Sequence, residues 1–444
     1  MRVLFIFTHI HIVSPKFSAA VATLSSVAKR AGHTTSLLFV YGAIDEEYIR
    51  ETIVKEAPDV IAITATTSQW KSVDKIGSLV KKITSVPIIF GGIHPTLCPD
   101  EVMSSEWIDA LCIGEGEEPF AEYLDALEGR GNAETIKNLW VRVKSGSGGE
   151  TIVKNPIRPP VKDIDVLPVW DYDLFGAHHF IGRNDYSFVG KPGFFPFATG
   201  RGCPYRCTYC GNTGLLDVYA STSGSFVRKH SVNYIITSMK ALMGQYSIEG
   251  FELWDEMLSA NEKWLEDFCT RYGGEVGLPY VTALRVEHVN ERVIKLLKDS
   301  GCFMLGMGVE SGNEEYRKRY LNRKMSNQQL VDAFDAAKRA GIKTLSWNMI
   351  GMPFETAALI EETIEFNRRL RPDVIGVAVF EPLPLTPLRD LCVKEGLLSD
   401  REVLIFSDQS TLNQKTITQE ELSRCYRKFQ ELSKELTTEK IDWT

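Results

Sequence analysis

The sequence predicts an α/β protein with an N-terminal doubly wound, Rossmann-like parallel sheet, then a partial (β/α)6 TIM-type barrel and a small helical C-terminal segment. Two observations lead to this fold class. Short apolar runs alternate with amphipathic stretches in both halves of the chain, and short connections of this kind favour right-handed crossovers that put helices on the faces of a parallel sheet. Glycine, hydroxyl and charged residues follow the apolar runs, at the strand ends where such sheets bind ligands.

The composition is that of an ordinary globular protein, with 44% hydrophobic and 24% charged residues. The net charge of −8 comes without a basic stripe, so we expect no nucleic-acid partner. No apolar run approaches the roughly 20 residues that cross a bilayer, so we expect no stable membrane insertion. The nine cysteines form no secreted-protein framework and the N-terminus does not resemble a signal peptide, which together predict a cytoplasmic location.

The first domain is predicted over residues 1–135. It begins with a continuous apolar run at residues 3–7, typical of a strand covered on both faces. A helix follows from Phe17 and ends near Gly32. Further strands are predicted at 37–41, 60–64, 87–90 and 110–113, alternating with helices near 45–56, 69–83 and 117–128.

Unusual residues follow the predicted strands of this domain. Glycine pairs permit close backbone approach, and small hydroxyl residues can hydrogen-bond a large polar cofactor without filling its space. The strand-end candidates are Thr8, His9, Thr64, Thr66, Thr67, Ser68, Gly91, Gly92, Glu115 and Glu117. Taken singly, the glycine pair also fits a tight turn, and the hydroxyl run also fits a helix cap. No G-x-G-x-x-G opens the first helix, which argues against a dinucleotide site.

Residues 136–192 are predicted to be a linker or connector. A glycine-serine loop at 145–149 separates two short strand-like runs, and prolines at 156, 159, 160 and 168 favour extended structure. His178 and His179 are assigned to a surface loop.

The barrel is predicted over residues 193–390. Asn290 caps one helix, and Ser326 with Gln329 forms a capping box that begins another. Strands are predicted at 251–254, 303–309, 343–350 and 374–380. About six βα units fit a partial parallel barrel with its active site at the C-terminal strand ends. Residues 391–444 form the C-terminal segment, whose final helix is expected to pack on the barrel.

Cys203, Cys207 and Cys210 form a C-x3-C-x2-C motif. Three thiolates in one loop can hold three irons of a [4Fe-4S] cluster and leave the fourth iron without a protein ligand. The next cysteine, Cys269, lies far along the chain in a predicted helix, so an ordinary four-cysteine site is not expected. The alternatives are a redox C-x-x-C pair and a zinc knuckle completed by His230.

This cysteine motif resembles that of the radical S-adenosylmethionine (SAM) enzymes. Segments at later strand ends extend the resemblance, namely Phe251–Glu256, Gly306–Gly312 and Ile350–Thr356. The resemblance implies SAM contacts from Tyr209, Asp255, Glu256, Arg285, Glu310 and Met352, with the adjacent acidic pair near the SAM amino group. Phe354 and Leu385 stand where two of the family's motifs usually have glycine.

Residues 1–130 resemble the cobalamin-binding domain found in one branch of these enzymes. The matching segments are 31–33, 61–64, 91–95 and 113–117. The resemblance implies that the strand-end candidates named above contact cobalamin. The D-x-H-x-x-G pattern of histidine-ligated cobalamin occurs at none of the histidines in these residues, so no imidazole ligand below cobalt is predicted. His9 and His11 are the histidines expected nearest the corrin.

The resemblance implies a reaction as well as cofactors. SAM would chelate the open iron and be cleaved to a 5′-deoxyadenosyl radical, and a methyl group from a second SAM would pass through methylcobalamin to an unactivated carbon of a small-molecule or natural-product substrate. A low-potential donor such as flavodoxin or ferredoxin would supply the electron. The alternatives are an oxidative cyclase or rearrangement enzyme without methylation, a cobalamin-independent radical SAM enzyme, and a non-catalytic iron-sulfur sensor. The sequence names neither the substrate nor catalytic residues beyond the cofactor ligands.

Overall fold

The structure is a computed structural model of the 444-residue chain, and it describes residues 1–10, 17–144, 149–176, 180, 192–259, 261–399 and 408–436. The chain forms two compact units. The first contains Met1–Pro192 and Gly214–Arg228, and the second contains Gly193–Thr213 and Lys229–Thr444. His11, His178 and His179 lie outside the described residues.

The first unit is built on one sheet. Its strands are β1 (Arg2–His9), β2 (Thr34–Tyr41), β3 (Val60–Thr64), β4 (Ile88–Gly91), β5 (Ala110–Cys112), β6 (Leu139–Lys144) and β7 (Glu150–Lys154). Their order is β2-β1-β3-β4-β5-β6-β7. The pairs from β2 to β5 are parallel, whereas β6 and β7 are antiparallel to their neighbours. Helices in this half are α1 (Ala19–Arg30), α2 (Glu46–Glu56), α3 (Trp70–Ile83), α4 (Ile93–Leu97), α5 (Pro99–Met103) and α6 (Glu117–Leu127).

The central strand β1 confirms the prediction of a strand covered on both faces. Val3, Leu4, Phe5 and Ile6 are each at most 1% exposed. The helices begin where local caps allow, as at α1, where the Ser18 hydroxyl accepts a hydrogen bond from a backbone N–H of the first turn. Alternating apolar strands and capped helices therefore produce the parallel sheet that the pattern predicted.

Two features of this unit differ from the sequence prediction. The predicted connector contributes two strands, β6 and β7, to the sheet. Strand β6 is also held by Arg142, whose side chain donates to the carbonyl oxygens of Met103, Ser105 and Ile108. The segment after β4, expected as a turn, folds into α4 and α5, with Pro99 as the first residue of the second helix.

The second unit is built on a six-stranded, all-parallel sheet that curls into a half-barrel. Its strands are β8 (Phe194–Phe197), β11 (Gly250–Leu253), β12 (Tyr280–Leu284), β13 (Cys302–Glu310), β14 (Lys343–Ile350) and β15 (Val374–Val379), and two short strands, β9 (Gly200–Arg201) and β10 (Arg228–Lys229), also occur. The sheet order is β15-β14-β13-β12-β11-β8. The helices after the cysteine motif are α7 (Gly211–Val218), α8 (Val232–Gln245), α9 (Glu262–Glu275), α10 (Glu291–Asp299), α11 (Glu314–Tyr320), α12 (Asn327–Arg339), α13 (Ala357–Leu370), α14 (Pro387–Lys394) and α15 (Gln419–Leu436).

The C-terminal helix packs on this half-barrel as predicted. Leu422 and Phe429 of α15 share a buried cluster with Ile360 and Ile364 of α13 and with Ile350 of β14. The predicted fold class is confirmed, with a parallel sheet, a partial barrel and a C-terminal helix. Among the described residues, no helix is both long and apolar enough to cross a membrane.

Gly92 makes the tightest backbone approach at the strand ends of the first unit. Its φ is +114°, and an added Cβ would lie 2.6 Å from Thr64 Oγ1 and 2.8 Å from Ala65 O. At the adjacent Gly91 an added Cβ would lie 3.5 Å from its nearest neighbour, the Cβ of Cys112, which is ordinary contact. The two glycines of the pair therefore have different requirements.

We expect Gly92→Ala to destabilise the protein by roughly 2–4 kcal/mol, because the methyl group adds strain and overlaps Thr64 and Ala65. The thermal midpoint, followed by tryptophan fluorescence, should fall by roughly 5–10 °C. Gly91→Ala is the matched control and should change stability by less than about 1 kcal/mol. Equal midpoints for the two variants would contradict this assignment.

Candidate functional site

The three cysteines of the motif lie in one loop of the second unit, between β9 and α7. Backbone carbonyls of the loop are held from the start of the helix: Asn212 Nδ2 donates to Cys203 O at 2.7 Å, and Thr213 Oγ1 donates to Cys207 O at 2.9 Å. The backbone N–H of Cys210 donates to Cys207 O at 3.1 Å. The local sequence after the cysteines therefore fixes the loop that carries them.

The three thiols of the motif are not gathered around a single point in this structure. Among the described residues, three or more potential ligand atoms lie mutually within 4.8 Å only at His94, Cys98 and Glu101. At least one pair of the motif's sulfur atoms is therefore farther apart, whereas two thiolates on one zinc ion are about 3.8 Å apart. A zinc knuckle completed by His230 is therefore not preformed among the described residues, whereas a cluster that gives each thiolate its own iron does not require the sulfur atoms to be so close.

Burial affects the protonation of the thiols. It raises the pKa of the Cys210 thiol to about 11, and it also raises the pKa of Cys203. Without a metal these thiols hold their protons near neutral pH, so binding of iron would have to release them.

Arg285 lies directly against the cysteine loop. Its Nη1 donates to Cys207 Sγ at 3.1 Å, its guanidinium lies 3.7 Å above the ring of Tyr205, and its Nη2 pairs with Glu287 at 2.5 Å. The Tyr205 hydroxyl is in turn 2.6 Å from His288 Nε2. Arg285 was predicted as a SAM contact. Its contact with Tyr205 was not predicted, because it joins distant parts of the sequence, and no local motif marked its neighbour Glu287 as a partner.

A second arginine, Arg323, lies in the same part of the unit and was missed by the sequence analysis. It is 5% exposed, pairs with the Glu310 carboxylate at 3.4 Å and donates to Gly308 O at 2.8 Å. Burial and the charge of Glu310 raise the pKa of Tyr209 well above its usual range. The predicted site residues Tyr209 and Glu310 are thus brought together around Arg323.

The fully buried Arg317 holds the segment that carries Arg323. Its guanidinium donates to Ser311 O at 2.5 Å, Asn327 Oδ1 at 2.6 Å and Met325 O at 3.1 Å. Burial lowers the pKa of Arg317 to about 10. This arginine cross-links the chain on both sides of α11, which leaves the loop before α12 in a defined position.

The predicted acidic pair is divided by its surroundings. Asp255 accepts hydrogen bonds from Lys229 Nζ at 2.8 Å, Thr199 Oγ1 at 2.7 Å and Thr199 N at 3.1 Å, so its carboxylate is satisfied inside the unit. The Glu256 side chain is exposed to solvent. Nearby protein atoms still limit the hydration of its carboxylate, as in a cleft, and this desolvation raises its pKa. The two carboxylates therefore differ, since Asp255 is held by a lysine and a threonine whereas Glu256 is exposed.

The turn after β14 contains a buried carboxyl group. Glu355 is fully buried and accepts hydrogen bonds from Gly351 N at 2.6 Å and Met352 N at 3.2 Å, while burial raises its pKa to about 8. The Met352 side chain is also fully buried, in a cluster with Tyr316 and Phe380. Tyr209, another residue predicted to contact SAM, packs against the same cluster, so the structure places these two candidates in one region of the unit.

Both positions that depart from the family's glycine pattern keep a glycine-like backbone. Phe354 has φ +61° and Leu385 has φ +54°. Left-handed conformations are rare for large side chains, because Cβ approaches the following carbonyl oxygen. The surrounding structure therefore maintains these turns although the residue type has changed.

In the first unit, the hydroxyl run after β3 serves partly as a helix cap. Gln69 Oε1 accepts from Thr66 N at 2.8 Å and Thr66 Oγ1 at 3.0 Å, and Gln69 Nε2 donates to Thr8 O at 2.7 Å. Ser68 Oγ is 3.2 Å from Thr66 Oγ1. In contrast, the buried hydroxyl oxygens of Thr8 and Thr67 have no hydrogen-bond partner within the described part of the chain. These two hydroxyl groups are therefore buried and unsatisfied among the described residues.

Glu115 makes a buried ion pair within the first unit. Its carboxylate pairs with Arg228 at 2.6 and 3.0 Å and accepts from Val161 N at 2.8 Å, and its backbone N–H donates to the Tyr219 hydroxyl at 2.7 Å. Glu115, predicted to contact cobalamin, therefore binds segments 155–161 and 214–228 to the strand ends.

The last two candidates of this unit have contrasting positions. His9 is half-buried at the end of β1, with its ring edge-on to Phe7 at 6.4 Å between centroids. Glu117 is buried at the first residue of α6.

Comparison with known proteins agrees with the two units. The family model for the radical SAM superfamily matches residues 197–366, and the model for the B12 binding domain matches residues 13–124. A relative named as an uncharacterized methyltransferase of Pyrococcus horikoshii is 29% identical over 86% of this chain and 79% of its own length. The anaerobic magnesium-protoporphyrin IX monomethyl ester cyclase of Rubrivivax gelatinosus is 25% identical over 87% of this chain and 69% of its own. The radical SAM methyltransferase TsrM of Kitasatospora setae has the same fold, with a TM-score of 0.69 at 15% identity over 89% of this chain and 76% of that one.

The chain belongs to the cobalamin-dependent radical SAM enzymes, since it combines a B12 binding domain with a radical SAM domain. This confirms the family predicted from the motifs. It also confirms, at the level of the two domains, the predicted cofactor set of a [4Fe-4S] cluster, SAM and cobalamin.

The described residues fit these cofactors chemically. The cysteine loop offers three thiols, and the buried Nε atoms of Arg285 and Arg323 have no hydrogen-bond partner among the described residues. The free hydroxyl groups of Thr8 and Thr67 offer the same kind of donor at the strand ends of the first unit.

We expect Glu355 to make stability depend on pH. Its pKa in the folded protein is about 8, above the ordinary 4.5, so the folded state holds the proton more tightly. Stability should therefore fall by about 1 kcal/mol per pH unit as pH rises from 5 to 8, and Glu355→Gln should remove this contribution. Urea unfolding of both proteins at several pH values measures the difference.

The control for this experiment is Glu315→Gln, at a side chain that is 81% exposed, which should keep the pH dependence of the wild type. An identical slope for the wild type and Glu355→Gln would show that the buried carboxyl group is not the source.

Proposed function

We propose that this protein transfers a methyl group from SAM, by way of cobalamin, to an unactivated carbon of a small-molecule substrate through a 5′-deoxyadenosyl radical. The observation that carries the radical part is the three-thiol loop with Arg285 and Cys207 in contact at 3.1 Å. Methyl transfer is favoured over cyclisation because the relative with 29% identity is named a methyltransferase.

The cysteines and the charged groups beside them have separate roles in this proposal. Cys203, Cys207 and Cys210 ligate the cluster. The Glu256 carboxylate, which is exposed but partly surrounded by protein atoms, accepts hydrogen bonds from the SAM ammonium group. Arg285 and Arg323 supply positive charge for the carboxylate of SAM. When bound, the cluster supplies the electron that cleaves SAM, and cobalamin carries the methyl group.

Glu310 and Tyr209 complete the SAM site in this proposal. The Glu310 carboxylate, held by Arg323, accepts hydrogen bonds from ribose hydroxyl groups or from the methionine moiety. Tyr209 lies between two cluster ligands in the sequence, and its side chain packs against the buried cluster that contains Met352 and Tyr316.

The first unit binds cobalamin through its strand ends. Thr8 and Thr67 offer hydroxyl groups, and Gly92 permits close approach of the backbone. No histidine of residues 1–130 is proposed as a cobalt ligand, because none of them stands in a D-x-H-x-x-G pattern. A low-potential flavodoxin or ferredoxin is the electron donor.

We expect Cys207→Ala to lose the cluster, because two thiolates cannot hold three irons of a four-iron cluster. After anaerobic reconstitution, iron and sulfide analysis should give about four irons per wild-type chain and a near-complete loss in the variant. Cys302→Ala is the control, since Cys302 is a buried cysteine of β13 outside the loop and its replacement should retain the iron. A full complement of iron in Cys207→Ala would sink the cluster assignment.

The proposed reaction is tested with SAM that carries a deuterated methyl group. One SAM must donate methyl and another must be cleaved, so S-adenosylhomocysteine and 5′-deoxyadenosine should both form, and mass spectrometry should find the label in one product from a small-molecule extract. Cys207→Ala should remove the deoxyadenosine and the labelled product together.

A substrate-dependent product without label, formed while deoxyadenosine accumulates, would assign the protein to the oxidative cyclase or rearrangement class. That outcome would leave the cluster, SAM and cobalamin sites as proposed.

A further inference from the structure

Trp347 is a large aromatic side chain exposed on the inner face of the half-barrel. It lies in the middle of β14 and is 39% exposed, whereas Trp70 and Trp107 of the first unit's core are 9% and 3% exposed. Its neighbours in the strand, Ser346 and Asn348, point to the outer face, where both hydrogen-bond to Asn367 of α13. Because side chains alternate along a strand, Trp347 points into the half-barrel.

Glycines on both neighbouring strands make room for the indole. Trp347 pairs with Gly308 of β13 and Gly376 of β15 in the sheet register. An added Cβ on Gly376 would overlap the six-membered ring, and one on Gly306 would lie 3.2 Å from Nε1. The indole therefore lies along the sheet and covers positions on both sides that have no side chain.

Trp347 is next to the charged residues of the candidate site. The Glu310 carboxylate folds back over Gly308, where an added Cβ would overlap its Oε1, and Arg323 donates to Gly308 O at 2.8 Å. Since Gly308 is the register partner of Trp347, one strand spacing of about 4.8 Å separates the backbone of Trp347 from the backbone beneath this ion pair.

We propose that Trp347 is the stacking platform for a planar, π-conjugated group of the substrate. This inference rests on the proposed function, because it places the substrate beside the SAM site of the half-barrel. A tryptophan that only filled the interior would be covered by its neighbours, but the glycines on either side leave the indole accessible. An aromatic face of this kind favours offset stacking with another flat ring.

The adenine of SAM is a second source of the same chemistry. The segment that resembles the adenine-contacting motif begins at Ile350, the last residue of β14. Trp347 lies three residues earlier, roughly 10 Å further into the half-barrel at about 3.3 Å per residue. This separation favours the substrate as the occupant.

The test uses two neutral probes that differ in flatness, 2-naphthylmethanol and its saturated counterpart decahydro-2-naphthylmethanol, with the reconstituted full-length protein. Saturation-transfer NMR measures probe binding, and equilibrium dialysis measures SAM binding. We expect the flat probe to bind the wild type more tightly than the saturated one. Trp347→Leu should weaken the flat probe about five- to tenfold, Trp347→Phe should retain most of the binding, and neither should change the SAM affinity.

Tyr48→Leu is the control, because Tyr48 is 48% exposed in the first unit and its loss should leave probe binding unchanged. A parallel loss of SAM affinity in Trp347→Leu would overturn the proposal and assign the indole to adenine. Equal binding of the two probes, no binding of the flat probe to the wild type, or binding that Trp347→Leu leaves intact would also overturn it. These readouts need no turnover, so they are independent of the methyl-transfer test.

Discussion

The site in the second unit depends on two guanidinium groups held beside the cysteine loop. Arg285 contacts the Cys207 sulfur, the Tyr205 ring and the Glu287 carboxylate at the same time. Arg323 pairs with the Glu310 carboxylate. Arginines in these positions are costly to bury unless each has a partner, so the loops that carry the partners must adopt defined positions. The result is a site with positive charge already in place for an anionic cluster and the carboxylate of a ligand.

Most other polar side chains around this site hold neighbouring protein segments in place, and a few do not. The Asp255 carboxylate accepts hydrogen bonds from Lys229 and Thr199, and the Glu355 carboxyl group accepts them from two backbone N–H groups. Glu256, in contrast, is exposed to solvent. The first unit shows the same division. Glu115 is used by Arg228, while the hydroxyl groups of other strand-end residues remain without partners among the described residues. The candidate residues at the strand ends therefore fall into two groups, those whose side chains hold a neighbouring loop and those whose side chains have no such partner among the described residues.

The sequence predicted what local periodicity and local motifs encode. The apolar run of β1 and the capped helices appear where expected, and the three cysteines lie in one loop. The two strand-like runs around the 145–149 loop were recognised, but they were assigned to a connector and not to the first sheet, because β7 (Glu150–Lys154) lies at the sheet edge, where most side chains are exposed and no apolar pattern is needed. Arg323 and the pair of Tyr205 and His288 were also missed, since they are defined by partners distant in sequence and no local pattern marks them.

The left-handed turns at Phe354 and Leu385 have a consequence for how such proteins are recognised. A profile of residue types scores each position as a mismatch, since glycine has been replaced by a bulky side chain. A comparison of backbone dihedral angles would instead score each as compatible with a glycine turn, at φ +61° and +54°. In this chain the constraint at the two turns is carried by conformation, so a protein with bulky residues at the same turns would be detected more sensitively by its backbone torsions than by its residue types.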